Sequence, residues 1–251
     1  MKQVETPVLI VGGAGCGLSS AIFLARLGIE SWLVERYPTT SPAPKAHYLN
    51  QRTMEIFREE GLSDRIYAVS TPAENMSRVG WYTSLGGDGE LDRKTIFLMD
   101  AFGGHSLKEA YEADSPCRSA NYPQLRLEPL LLDHASTLPA AKLNYNNELK
   151  SFSQDADGVT AIVERRDTGE TYEVRAKCMV AADGGRMIGP ALGIPMDGID
   201  GLFDMVTCHF GADLSPVIDD DSPMIRWFIN PEKGGSWGSG VMVALGPDHY
   251  D

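Results

Sequence analysis

Cysteine is scarce. Four residues in 251 (Cys16, Cys117, Cys178 and Cys208) are scattered along the chain without a CxxC pair. That excludes a disulfide scaffold or a finger-type zinc site and fits reduced thiols in a cytoplasmic compartment. Basic residues are few as well: 22 Lys and Arg stand against 35 Asp and Glu, a formal net charge of −13. The chain therefore lacks the basic stripe that a phosphate backbone requires and the polybasic cluster of a membrane anchor. No apolar run approaches the ~18 residues of a membrane span, and Met1–Glu5 is polar, so no secretory leader is expected. His105, His134, His209 and His249 show no metal-ligand spacing, and no metal is expected. Ser19-Ser20 has no Gly-x-Ser-x-Gly context, which leaves a hydrolase without support. What is left is an acidic globular chain with no nucleic-acid or membrane partner expected, long enough for one or two domains.

Glycine, by contrast, is concentrated near the start. Thr6–Val11 is a β-branched apolar run of the kind seen in buried parallel strands, and it leads into Gly12-Gly13-Ala14-Gly15-Cys16-Gly17. Leu18 to Leu27 carries Leu18, Ile22 and Ala25 on a helical period, Gly28 supplies a left-handed stop, and Ser31–Glu35 is a second strand ending in an acid. Strand, glycine turn, helix, strand and terminal acid match the dinucleotide-binding βαβ unit. Glycines let backbone N–H groups approach a diphosphate, the helix start offers partial positive charge, and Glu35 can accept hydrogen bonds from a ribose. Read as GxGxxG from Gly12, the loop has Ala14 in place of the middle glycine. An alanine forced to positive φ would cost about 1–2 kcal/mol; at an allowed φ its methyl costs little. The acid disfavours a 2′-phosphate and leaves NAD or FAD. A glycine turn that only packs helix on sheet is the alternative.

Downstream, Pro38–Pro44 is a proline- and threonine-rich loop, and Lys45–Arg58 runs into a helix stopped at Gly61. Residues 70–120 lack helical periodicity and read as strands and loops. Pro123–Ala135 predicts a helix, with Pro129 acceptable in its first turn. A meander follows over 149–154, 159–165 and 171–176, with turns at Asp155–Gly158 and Asp167–Gly169. Residues 177–182 form a further apolar strand closed by Asp183-Gly184-Gly185, and beyond Pro190 the chain alternates in strand fashion, most clearly over 226–229 and 237–245. Asp219–Asp221 reads as a solvated loop.

Four motifs in order, Val11–Leu18 (VGGAGCGL), Lys45–Glu55 (KAHYLNQRTME), Asn121–Leu130 (NYPQLRLEPL) and Ala181–Arg186 (AADGGR), together resemble the single-component FAD-dependent aromatic hydroxylases. The branch of phenol and chlorophenol hydroxylases and 2-hydroxybiphenyl 3-monooxygenase is the most similar, and the second motif is the most specific. The resemblance implies an α/β fold of the p-hydroxybenzoate hydroxylase type. A Rossmann-like FAD-binding domain (1–73 and 120–190) would carry an inserted three-stranded β-meander beside a β-sheet substrate domain (74–119 and 191–251). It implies an enzyme that reduces FAD with NAD(P)H, captures O2 as a flavin C4a-hydroperoxide and hydroxylates a small phenolic substrate, with a homodimer as one assembly open to it. The family continues past residue 251 with Gly-Asp followed by Ala and His, so the resemblance places this chain at the N-terminal portion, with the fold truncated at its C-terminus.

Matched by position, Gly12, Gly13, Ala14, Gly15 and Gly17 would hold the FAD diphosphate, Glu35 followed by Arg36 the adenosine ribose, and Lys45 would stand where relatives have an arginine near the cofactors. Gln124 matches a flavin contact; Asp183 and Gly184 match a motif for FAD and NAD(P)H. His47 and Asn121 would line the substrate site, His47 accepting the phenol proton and Asn121 bonding the substrate hydroxyl, with Trp227 facing the same pocket. A loop histidine beside the flavin and a core position for Trp227 are the alternatives, and Arg52 fits a purely structural role equally well. Two further outcomes stay open: oxygen insertion into a polyketide-type ring, including Baeyer–Villiger oxidation, and a non-catalytic flavin-fold chain. An NAD-dependent dehydrogenase has no place for Lys45–Glu55 or for the Asp183-Gly184 strand end.

Overall fold

The apolar run at the start forms strand β1 (Lys2–Val11), and the chain turns through the glycines into helix α1 (Gly15–Arg26) and strand β2 (Ser31–Glu35). The structure, a computed structural model, describes residues 2–199, 201, 204–229 and 240–246. Next come β3 (Tyr48–Leu49), α2 (Gln51–Glu59), α3 (Ser63–Tyr67), β4 (Arg78–Tyr82), β5 (Thr95–Asp100), α4 (Lys108–Asp114) and β6 (Ala120–Asn121). Helix α5 (Gln124–Ser136) leads to β7 (Ala141–Tyr145), β8 (Asn147–Asp155), β9 (Gly158–Arg165) and β10 (Thr171–Ala181). Short helix α6 (Ile188–Ala191), β11 (Pro223–Phe228) and β12 (Gly240–Val243) follow. The chain divides into two units, Met1–Pro44 with Gln124–Thr207 and Lys45–Pro123 with Cys208–Asp251. Residues 45–73 and 120–123, which the resemblance groups with the cofactor domain, fall in the second unit by this division, and 191–207 fall in the first.

The first unit is built on a six-stranded sheet ordered β7-β2-β1-β10-β9-β8, in which β7, β2, β1 and β10 are parallel and β9 and β8 antiparallel. Leu18, Ala21 and Ile22 bury one face of α1, and Leu9, Val34, Val163 and Val174 belong to the sheet core. Two expectations change here. The runs 171–176 and 177–182 are not separate strands but the single β10. β1 lies beside it from Tyr172 to Ala181, whereas β9 pairs only as far as Ala176. Continuous pairing along one edge satisfies the backbone where the side-chain pattern suggests a break, so the meander shares its third strand with the parallel sheet. Pro129 is the sixth residue of α5, not in its first turn. Its ring removes the N–H that would have met Leu125, yet the helix continues because Leu127, Glu128, Leu131 and Ala135 bury one face on both sides of it.

The second unit holds a four-stranded sheet ordered β12-β11-β4-β5 and the short β3-β6 ladder. Helix α4 was not expected within 70–120. None of its residues is buried, and the Lys108–Glu112 pair, 3.8 Å apart at i,i+4, lies on a helix without an apolar stripe to betray its period. Among the described residues, 192–222 contain no strand, so the alternation expected there reduces to β11 and β12. Trp237, at the start of the second expected run, and His249 lie outside the described residues.

Candidate cofactor seat and imidazole site

In the first unit the glycine turn divides its labour. Gly12 has φ +111°, and a Cβ there would stand 2.2 Å from the carbonyl oxygen of Ala182. A Cβ on Gly17 would stand 1.8 Å from the carbonyl oxygen of Gly12. These two glycines let helix α1 close onto β1 and β10. Ala14 has φ −85° and ψ −171°, extended backbone open to any residue, so the departure from GxGxxG carries no strain. Around Gly15 a Cβ would meet nothing within 4 Å. The amides of Cys16 and Gly17, in the first turn of α1, have no carbonyl four residues back inside the helix. An open glycine beside first-turn amides is a seat that fits a diphosphate.

Two carboxylates frame this turn. Glu35 accepts the Gly13 amide at 2.7 Å and the Tyr37 amide at 2.9 Å, and the Tyr145 hydroxyl donates to the Gly13 carbonyl at 2.7 Å. Burial, with the Glu35 and Glu128 carboxylates adding to it, pushes the Tyr145 phenol well above its ordinary range. The Arg36 guanidinium lies over the Tyr37 ring at 4.8 Å. Glu128, absent from the sequence-based list, is 1% exposed; it accepts the amides of Gly15 and Ser41, each at 3.2 Å, and the Gln124 side-chain amide. Its signal in the sequence is an acid amid the apolar spacing of α5.

Asp183 closes the turn after β10 by accepting the amides of Gly185, Met187 and Ile188 at 2.8–3.0 Å, and Gly184 beside it has φ +72°. Burial alone would raise the Asp183 pKa; the amides outweigh burial and hold it below the ordinary aspartate value. Asp183→Ala is expected to destabilise the protein by about 1 kcal/mol at neutral pH, as loss of a helix-start acceptor does. With the folded pKa below the reference value of 3.8, that contribution is present above this value and fades as pH falls through the folded one. Urea unfolding of the wild type and the variant should therefore differ at pH 7 and converge towards pH 3; an equal gap at both would refute the assignment.

In the second unit, β3 and β6 bring His47 and Asn121 together through the Tyr48–Asn121 and Leu49–Ala120 register and the Tyr122 amide bonded to the His47 carbonyl at 2.8 Å. Asn121 is fully buried. Its Nδ2 donates to Thr71 Oγ1 at 2.8 Å and to the Ala244 carbonyl at 2.6 Å, so its Oδ1 faces His47 Nδ1 at 3.0 Å. An oxygen accepts only, so Nδ1 carries the proton and the neutral ring keeps its lone pair on Nε2. Burial lowers the His47 pKa below 6.5, with the Asn121 bond opposing. Both Asn121 N–H groups thus have partners within the protein, and its carbonyl oxygen meets the imidazole. Lys45 is exposed. Trp227 is half-buried, and in register it stands beside Trp81, which in turn stands beside Phe97. The Trp81 and Phe97 rings are 5.7 Å apart, so three aromatics share one face across β11, β4 and β5.

Among the described residues, no helix is long and apolar enough to cross a membrane. Comparison with known proteins bears on both units. The chain is 36% identical to the 2,4-dichlorophenol 6-monooxygenase of Delftia acidovorans, over 97% of this chain and 41% of that protein. It is 36% identical to the aklavinone 12-hydroxylase DnrF of Streptomyces peucetius, over 95% of this chain and 48% of that one. The crystal structure of the flavin-dependent monooxygenase PieE in complex with FAD and substrate superposes with a TM-score of 0.85 at 33% identity, over 98% of this chain and 42% of PieE. The chain thus spans less than half the length of each of these relatives. The FAD binding domain model matches residues 5–249, which takes in the glycine turn, Glu128, the β10 turn and His47: this chain belongs to the FAD binding domain family.

Proposed function

We propose that this chain belongs to an FAD-dependent monooxygenase that hydroxylates a phenolic ring with NAD(P)H and O2. The observation that carries the reading is the fixed His47 tautomer, with Nδ1–H held by Asn121 and the Nε2 lone pair left to accept a proton. When bound, FAD supplies the redox chemistry, taking electrons from NAD(P)H and passing them to O2. The residues do the rest. The amides of Cys16 and Gly17 and the dipole of α1 bind the diphosphate, and Glu35 meets the ribose beside Arg36. Lys45 contributes a point charge without the fork of an arginine. Gln124, Asp183 and Gly184 flank the cofactor. His47 Nε2 accepts the proton of the phenol, which moves negative charge to the ortho and para carbons, where an electrophilic oxygen is attacked. Asn121 positions that imidazole, and the row of Trp227, Trp81 and Phe97 offers the ring an apolar aromatic wall. The relatives named for dichlorophenol support this substrate class. A cytoplasmic setting belongs to the same reading, supported by four unpaired cysteines.

A polyketide-type ring, including Baeyer–Villiger oxidation, is the second reading, favoured by the relatives named for polyketide hydroxylation. Product analysis decides. With the full-length gene product, NAD(P)H and O2, a simple phenol should yield a catechol-type product in step with NAD(P)H oxidation, and a cyclic ketone should yield no lactone. Lactone formation, or NAD(P)H oxidation without a hydroxylated phenol, would overturn the phenol reading.

A further inference from the structure

We infer that Glu128 is a positioning residue for the FAD seat: its carboxylate holds the glycine turn and the 36–44 loop in the shape that receives the diphosphate. The geometry is specific. One oxygen, Oε1, receives the Gly15 amide at the start of α1 together with the Gln124 side-chain amide; the other, Oε2, receives the Ser41 amide. Three segments that are far apart in sequence, 12–17, 36–44 and α5, therefore end on one side chain that is 1% exposed. An ionised carboxyl group accepts and never donates, so all three partners must point their N–H groups inward. For Gln124 this fixes which end of the amide faces Glu128 and turns its Oε1 the other way. For the turn, a fixed anion already takes the Gly15 amide, which leaves the first-turn amides of Cys16 and Gly17 for the ligand's charge.

Repulsion makes the opposite prediction. A buried carboxylate close to a diphosphate should weaken binding, and neutralising it should then tighten the complex. The sign of the change in Glu128→Gln decides between the two effects. Glutamine keeps the shape but sets an NH2 group against N–H donors, so the frame loses a partner in either orientation. The inference rests on the FAD-binding family and is independent of hydroxylation.

The test uses the full-length gene product stripped of FAD, with titration by flavin fluorescence for FAD and calorimetry for ADP, which carries adenosine and diphosphate alone. Glu128→Gln is expected to weaken both ligands by about tenfold or more, the loss that follows when a charge-assisted hydrogen bond is replaced by an unmatched donor. A residue that only stabilises the fold would lower the melting temperature and leave the Kd of the folded apoprotein unchanged. Unchanged or tighter FAD binding overturns the inference, as does a loss confined to FAD with ADP unaffected. If Glu128→Gln does not fold, Glu128→Asp carries the same test: it keeps the charge but shortens the reach, so both ligands should again weaken, and unchanged affinities overturn the inference. A wild-type protein with no saturable FAD complex would overturn the cofactor reading itself, and this inference with it.

Discussion

Glutamine in place of His47 is expected to cut hydroxylation by about 10²–10⁴-fold, the usual contribution of a positioned proton acceptor, while FAD affinity stays within a factor of about two. The side chain of glutamine keeps polarity and much of the volume but has no group that accepts a proton near neutral pH. NAD(P)H oxidation should continue and become uncoupled from product, because the proton at issue belongs to the phenol. The pH profile gives a second reading of the same group. Burial holds the His47 pKa below 6.5 against the opposing Asn121 bond, so the ring is neutral and competent at pH 7 and is lost as a base only when pH falls through its lowered value. The acid limb of kcat/KM should therefore lie below 6.5 in the wild type. Asn121→Asp places a carboxylate against Nδ1–H, which stabilises the imidazolium and should move that limb upward. Retention of both the rate and the acid limb in His47→Gln would remove His47 from the chemistry.

Alanine at position 17 has the largest expected effect on the fold. Its Cβ would sit 1.8 Å from the Gly12 carbonyl oxygen, a backbone atom with no rotamer to escape into, so α1 must lift from the strand. A loss of about 3 kcal/mol or more is expected, read as a fall in melting temperature of about 6–12 °C, together with loss of FAD binding as the first-turn amides are displaced. Alanine at position 15 is the matched control. Nothing stands within 4 Å of a Cβ there, so the apoprotein should melt at or slightly above the wild-type temperature, while FAD binding weakens because the methyl enters the diphosphate's room. Equal melting of Gly17→Ala and the wild type would mean that close packing is not what the last glycine of the turn provides.

Much of this was legible in the residue order. The βαβ unit from β1 to β2 is local: an apolar run, a glycine turn, a helical period and a terminal acid lie within one short stretch, so periodicity and turn chemistry are sufficient. The meander turns at Asp155–Gly158 and Asp167–Gly169 are local too. Helix α4 was not legible, because a short polar helix leaves no apolar stripe. The unbroken course of β10 was not legible either, because its continuity comes from β1, whose partner residues lie some 170 positions earlier in the chain.

The candidate site divides along the same line. Sequence alone determined that a dinucleotide turn opens the chain and that Glu35 ends the next strand, for which residue type and short-range spacing are sufficient; His47 and Asn121 were singled out only by the resemblance of their motifs to a family. Tertiary structure alone decided that Asn121 spends both donors on Thr71 and Ala244 and so fixes the His47 tautomer. It also decided that Ala14 is unstrained, and that a glutamate on α5 reaches the amides of Gly15 and Ser41. Those outcomes depend on which backbone groups from distant segments are left needing a partner once the chain has closed. That is a property of the folded arrangement, which no local window of residues contains.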